Sequence, residues 1–500
     1  MWIIQKQVSK TEFLFLAIFC FEFFPKYRFF GYLCIYNYVI RQMEYNDERS
    51  RVLATKPVGS LLLQFATPSI IAMSASSIYN ICDSIFIGQG AGPMAIAGLA
   101  LTFPLMNISA AFGAMLGVGS AAQTSVRMGE GNQKTALMIF GNMLRLDITV
   151  GLIITILGLL FLDPILQLFG ASEVTLPYAR DYMQIILAGN IITHTFLGMN
   201  DQIRATGNPK RAMAGQLIAV IVNIILDAIF ILELGWGMRG AALATILGQV
   251  CAWLFQFRFF LNKNNFVHFS RFGLKIRMDI IREIISIGLS PFCVNVCACL
   301  VVVLINRALL EQGGADGDEY VGVAGIVNRI VVFLIMMVSG FSQGLQPIVG
   351  FNLGARNYHR VIGALKFAYI CATVIMIVGY AFAYTFAREL ASLFTTDPGM
   401  IEKCITSIRI QMCTFPIVGG QMITMSFFQS IRKAKTAILL STSRQLLVQI
   451  PLILILPGMW GVLGVWWTLP CSDIVSCTLA AILLYMQVQK LKKKEFQPKL

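Results

Sequence analysis

Residues 126–132, VRMGEGN, return as residues 351–357, FNLGARN, with Gly129 falling on Gly354 at an offset of 225 (354−129=225). The same offset carries Leu168-Phe169 onto Leu393-Phe394 and the Lys210 loop onto the Lys435 loop. Within two residues of it, Pro68 falls on Pro291, Gly98 on Gly325, and Gly237 and Gly240 on Gly461 and Gly464. Punctuation shared over so long a span makes each half of the chain a copy of one unit. Repeated helical bundles of this kind build many secondary transporters, with substrate held between the copies near the bilayer midplane.

The solvent of those copies is lipid. Of 500 residues, 57% are hydrophobic and 13% charged, against about a quarter charged in soluble domains. A net charge of +14 would suggest nucleic acid in a soluble chain, but here the basic residues fall in short segments between apolar runs, where they report topology. No nucleic-acid partner is expected. Twelve cysteines lie mostly inside apolar runs, as Cys293, Cys297 and Cys299 do, and read as small hydrophobes rather than disulfides or metal ligands.

Runs of about 20 or more apolar residues, enough to cross the hydrocarbon core, occur near 61–89, 95–126, 136–162, 174–206, 212–233 and 237–260. Six more occur near 281–310, 320–351, 361–386, 401–430, 436–456 and 461–487. The expected fold is an all-α polytopic membrane protein of twelve transmembrane helices in two six-helix repeats. An even number per copy makes the repeats parallel, related about an axis along the membrane normal, with a cleft between two lobes. Lys and Arg choose the side: Arg49, Arg51 and Lys56, then Arg127 and Lys134, then Arg204, Lys210 and Arg211 mark one face, and the phase continues to Lys490–Lys494. That face should be cytoplasmic, with both termini on it.

The expected organisation is an N-terminal extension at 1–56, an N-lobe at 57–262, a charged linker at 263–280, a C-lobe at 281–487 and a basic tail at 488–500. Phe266, Phe269 and Phe272 of the linker are able to lie in the membrane interface. Residues 11–24, TEFLFLAIFCFEFF, are too short to span and carry two Glu. Met43 is the expected natural start, with 1–42 not native.

Carboxylates at membrane depth are costly and default to functional candidates. Asp83 stands in SIYNICDSIFIG, fifteen residues beyond Pro68 (83−68=15). Pro68 removes a backbone hydrogen bond and permits a helix bend; a static kink is the plainer alternative. Asn223 and Asp227 in VNIILDAIF are four apart, an amide and a carboxylate on one helix face. With Asp83 they can form an oxygen-lined cation pocket. Two carboxylates sharing such a pocket do not both stay ionised cheaply, so one should hold a proton or both should hold a metal cation. The second copy lacks the acids: Asp83 falls on Asn306, and Asn223 and Asp227 fall near Val448 and Pro451. Arg145 with Asp147, Arg307, Arg329, Arg444 and Asp473 are expected to pair with one another or with backbone carbonyls, and His194 to be a hydrogen-bonded core residue.

Gly340-Phe341-Ser342-Gln343-Gly344 matches the G-x-S-x-G elbow of serine hydrolases, but it lies in an apolar helical run without the strand-turn-helix context. Close packing by small residues explains it better. The chain is expected not to be an enzyme. It carries no P-loop, so no ATPase domain in this chain would drive transport.

Jointly, Pro68 through YNICDSIFIGQG, IAGLALTFP, RATGNPKRAM at 204–213, VNIILDAIF, GMRGAALAT at 237–245 and SRQLLVQIPLILILP at 443–457 resemble the multidrug and toxic compound extrusion (MATE) family, in its bacterial branch of staphylococcal type. The resemblance covers about 57–487. It implies a V-shaped, alternating-access antiporter of the bacterial inner membrane, a monomer, that exports amphipathic, often cationic, drugs in exchange for H+ or Na+. No cofactor is implied beyond that coupling ion. The implied cation site is Asp83, Asn223, Asp227 and Thr245, the last a residue that the bottom-up reading does not single out. Tyr79, Tyr182 and Asn200 are implied as lining groups of the drug cavity. A flippase of lipids or lipid-linked oligosaccharides in the same superfamily is the alternative, kept open by Arg145, Arg307 and Arg329.

Overall fold

The computed structural model describes residues 51–495, apart from the side chains of Asn80, Ile81 and Pro93. The expectation for residues 1–42 lies outside the described residues. Among the described residues there is no strand.

The leading half runs through α1 (Val58–Ala91), α2 (Pro93–Gly129), α3 (Gln133–Leu160), short α4 (Leu162–Leu168), α5 (Leu176–Ala188), α6 (Asn190–Ala205), α7 (Pro209–Asp227) and α8 (Gly237–Leu261). After Asp227, α7 passes without a break into a π-helical stretch, Ala228–Glu233. The trailing half runs through α9 (Met278–Gly313), α10 (Gly317–Gly354), α11 (Tyr358–Thr385), short α12 (Ala387–Ser392), α13 (Pro398–Gln411), α14 (Phe415–Ser430), α15 (Ala434–Thr442) and α16 (Ile450–Glu495). A second π-helical stretch, Ser443–Gln449, joins α15 to α16, and α16 is itself broken at Gly461, whose φ is 58°.

Eight described stretches are long and apolar enough to cross a membrane by length and composition. The expected twelve do not emerge from that count, for two physical reasons. Met278–Gly354 and Ala434–Glu495 each run on through more than one helix, while α5 and α6 meet at Gly189 and α13 and α14 are separated by residues 412–414.

The repeat is visible in the backbone. Asn132 caps α3 by accepting from the Thr135 amide, and Asn357 caps α11 by accepting from the Arg360 amide. Arg356 and Arg432 are the two non-glycine residues at positive φ among those described, at 56° and 61°. Each stands 225 residues after a glycine at positive φ, Gly131 and Gly207 (356−131=225; 432−207=225). The second copy therefore keeps the turn that glycine permits, at the cost of a left-handed arginine.

At several glycines the halves approach backbone to backbone. A Cβ on Gly129 would lie 1.9 Å from Phe351 O, and a Cβ on Gly354 would lie 2.1 Å from Val126 O, so the two copies contact each other reciprocally. A Cβ on Gly288 would lie 1.8 Å from Met115 O and one on Gly119 2.1 Å from Ile284 O. Such close approach needs small residues in place of side-chain ridges. These contacts belong to the half of the molecule that bears the basic loops. They continue to Phe112 against Phe292, ring centroids 4.8 Å apart, and to Ser77 Oγ against Met336 Sδ at 3.0 Å. Among the described residues no hydrogen bond joins the halves beyond that level.

Each half also lends the start of its first helix to the other. Leu53, Leu61, Leu62, Phe65 and Ala66 are buried in one cluster with Val338, Leu345 and Leu365 of the trailing half. Ile280 and Ile284, at the start of α9, are buried with Leu116, Phe140 and Phe260 of the leading half. Pro68 and Pro291 lie just beyond these exchanged segments.

The linker departs from its expected seat. Val267 is fully buried, and Phe269 packs on Phe140 and Phe260, so this stretch turns into the protein. Of the three phenylalanines only Phe272 is exposed, with the Lys134 ammonium 5.3 Å from its ring centroid.

Candidate functional site

Asp83 is buried on α1, 25 residues from the helix start (83−58=25), which places it about 37 Å along the axis from the basic face. It therefore stands toward the opposite end of the leading half. The remainder of α1 is fixed there by glycine: a Cβ on Gly90 would lie 2.4 Å from Ile231 Cγ2 and 3.1 Å from Ile231 O. Ile231 belongs to the π-helical stretch that begins immediately after Asp227, so the helix ends bearing the two carboxylates are held together. A π-helical segment widens the turn and often marks a functional position.

Asp227 is fully buried, and neither of its carboxyl oxygens has a hydrogen-bond partner. Asp83 Oδ1 and Asn223 Oδ1 are likewise buried and unpartnered. Asn223 lies close enough to interact with Asp227, but its amide donates to Thr245 Oγ1 of α8, at 3.3 Å. That meeting of α7 and α8 depends on Gly248, where a Cβ would lie 2.7 Å from Ala219 O and 3.2 Å from the Asn223 amide nitrogen. Tyr79 on α1 and Tyr182 on α5 lie near Thr245, and both tyrosines lie within the field of Asp83 and Asp227. Tyr182 is set by Gly98 of α2, which packs against Tyr178 Cβ and Thr175 O one turn earlier.

Four helices thus bring two carboxylates, an amide, a threonine hydroxyl and two phenols into one cluster. No lysine or arginine is ion-paired with either acid among the described residues. The cluster is a set of oxygen donors with unused acceptor capacity and a surplus of negative charge, the chemistry of a proton or hard-cation site.

Asn200 lies elsewhere. It is near the basic-face end of α6, and its Nδ2 donates to Ala212 O at 2.9 Å, tying α6 to α7. An open cleft at the basic end, about 460 Å³ between the halves, is lined by Glu130, Glu283, Arg356, Tyr358 and Arg432. None of the six clustered residues reaches it.

The trailing half answers with a closed pair. Asp473, fully buried on α16, accepts from Arg444 Nε at 2.7 Å and from Thr414 Oγ1 at 2.8 Å. Its carboxylate is already satisfied. Arg307 pairs with Glu311 at the surface, and the Arg329 guanidinium lies over the Phe394 ring. Arg145 and Asp147, by contrast, are unpaired: Arg145 Nη1 and both Asp147 oxygens are buried without partners. A spacing of two turns their side chains to different helix faces. His194 Nε2 meets Ser109 Oγ at 3.2 Å, while its Nδ1 is unpartnered.

Comparison with known proteins gives consistent results. The MatE family profile matches residues 68–229 and again 291–455, one match in each copy. The chain is 27% identical over 439 residues to "Multidrug export protein MepA" of Staphylococcus haemolyticus, covering 88% of this chain and 96% of that one. It is 26% identical over 438 residues to the protein of the same name in Staphylococcus aureus, with the same coverage. Among solved structures it superposes with a TM-score of 0.83 on one described as "Crystal structure of MATE in the bent conformation", at 26% identity, covering 90% of this chain and 99% of that one. A structure described as the straight conformation matches with a TM-score of 0.82 at 26% identity, covering 88% and 98%.

Proposed function

This chain belongs to the MatE family, and from that premise we propose that it is a secondary active antiporter, exporting amphipathic, often cationic, drugs or toxic compounds in exchange for H+ or Na+ by alternating access. It is a multi-pass membrane transporter and not an enzyme, and its relatives are named as multidrug exporters. The basic loops are assigned to the cytoplasm with both termini, in the inner membrane of a bacterium, and the transporter is taken as a monomer.

The observation that carries the coupling is the unneutralised cluster of Asp83, Asn223, Asp227 and Thr245. A buried carboxylate without a cationic partner is stable only when it takes up a proton or a cation. Loading and unloading can then be tied to shape. To drive exchange, the ion must bind one conformation more tightly than the other. The route for that difference is α1, because one helix carries Asp83 and Tyr79 in the leading half and, before Pro68, Leu61 and Phe65 in the trailing core. Ion binding that shifts α1 beyond Pro68 moves Tyr79 and the wall it forms with Tyr182. Substrate and ion thereby compete for one lobe. Asn200 receives no substrate-lining role, since its amide is engaged with backbone.

Purified protein in proteoliposomes, with proton and sodium gradients imposed separately, should export a cationic dye down one or both gradients. Asp83→Asn should insert normally in the membrane and lose that export at least tenfold. Full export by Asp83→Asn would sink the assignment.

A further inference from the structure

Asp147 is a buried carboxylate that this function leaves unused. It lies midway along α3, fully buried, and neither oxygen has a hydrogen bond or ion pair. Its neighbour across the helix packing is the backbone of α6. Asp147 Oδ2 stands 2.4 Å from where a Cβ on Gly198 would be, with Met143 Cε 3.1 Å from the same point, so only glycine at 198 leaves the carboxyl its room. One turn further along α6, Asp201 occupies a second glycine cradle, its Oδ2 2.5 Å from where a Cβ on Gly117 of α2 would be.

The two acids lie within each other's electrostatic reach and have one cation between them. Asp201 pairs with Arg204, and Arg204 Nη1 donates to Gln343 Oε1 of the trailing half at 2.5 Å. The other titratable groups nearby are His194, on the same side of α6 and facing Ser109, and Arg145, on α3 itself. His194 is bound through Nε2 to Ser109, which donates to Asn190 Oδ1 at 2.7 Å. Nothing here neutralises Asp147.

We propose that Asp147, cradled against Gly198 and beside Asp201, is a second proton-binding carboxyl of the leading half, protonated in this conformation and linked through Asp201 and Arg204 to the contact between the halves at Gln343. A full charge without a partner in so dry a place is strongly disfavoured, whereas the neutral acid is not. Arg204 is held both by its own half and by the other. When the halves part at Gln343 its guanidinium is free to turn its charge toward Asp147, and the O–H proton of Asp147 passes to water admitted by the opening. The protonated state stands on the geometry alone; its use in exchange rests on the antiport reading.

The test is infrared spectroscopy of the purified full-length protein at neutral pH, read at the carbonyl stretch of protonated carboxyl groups, beside dye export in proteoliposomes. Asp147→Asn should remove a protonated-carboxyl band that persists in the Asp83→Asn, Asp227→Asn double variant, and should lower export at least tenfold. Gly198→Ala, which crowds the carboxyl without removing it, should shift the same band, and it carries the test if Asp147→Asn does not fold. A spectrum unchanged by Asp147→Asn means that the group is ionised and overturns the proposal. A lost band with export equal to wild type reduces the proton to a fixed structural one and overturns the coupling. Export retained by Asp83→Asn would instead overturn the function proposed above, and it leaves the Asp147 band untouched.

Discussion

Thr245 is the residue on which the candidate site converges. Its hydroxyl accepts from Asn223 Nδ2 and stands near both Tyr79 and Tyr182, so one small side chain fixes the Asn223 amide of α7 beside groups from α1 and α5. Thr245→Val keeps the shape and removes the acceptor of the Asn223 amide, leaving that buried donor to find another. An unsatisfied buried donor costs about 1–3 kcal/mol, and about 1.4 kcal/mol is a tenfold change in an equilibrium constant. The concentration of coupling ion needed for half-maximal dye export should therefore rise roughly tenfold or more, while the amount of folded protein in the membrane stays near wild type. A Thr245→Val variant with an unchanged ion dependence would show that the hydroxyl only fills space. Asp83, Asn223 and Asp227 were legible in the sequence because a carboxylate or amide in an apolar run is conspicuous. Thr245 was not, since a threonine hydroxyl in a helix is ordinarily satisfied by its own backbone, and only the family resemblance pointed to it.

The glycines of α2, α9 and α10 set how closely the halves approach, and Gly288 is the tightest of them. A methyl at this position would meet Met115 O at 1.8 Å, a backbone atom that no rotamer change can move aside. Gly288→Ala must push α9 away from α2, a strain in the class of overpacking that costs about 1–3 kcal/mol. With every native cysteine replaced, a single cysteine at Ser125, buried where α2 faces Gly350, should react with a water-soluble maleimide several-fold faster once Gly288→Ala is added. Equal labelling in the two backgrounds would mean that the halves do not part there. Helix order and the repeat could be read from the sequence, because Gly129 and Gly354 or Asn132 and Asn357 keep their spacing. Spacing alone could not say which end of a helix a residue occupies. Asn200 was grouped with the tyrosines by the family resemblance, and the structure has it tying α6 to α7 near the basic face. Arg145 and Asp147 looked like partners because they are only two residues apart, while the helix turns them to different faces.

At the scale of the whole molecule, the two copies are interlocked as well as in contact. The start of α1 is part of the trailing core and the start of α9 part of the leading core, and Arg360 of α11 holds the carbonyls of Leu53 and Lys56 at 3.0 and 2.7 Å. Motion between the halves must therefore be taken up within α1 and α9, beyond the exchanged segments, where Pro68 and Pro291 each omit a backbone hydrogen bond. Such bending leaves the buried clusters intact and swings the far parts of the helices against each other, as hinge motions about a few residues do. Among the described residues, the hydrogen bond between the halves that lies farthest from the basic loops is Ser77 with Met336, at 3.0 Å. A covalent link there should hold the hinge at one angle without disturbing either core. In a background free of native cysteines, Ser77→Cys with Met336→Cys should export dye when reduced and lose export at least tenfold when joined by oxidation or a short bifunctional reagent, with recovery on reduction for the disulfide. Export that continues at the wild-type rate with the link in place would mean that transport proceeds without the halves moving at this level, and the hinge account of α1 would fail with it.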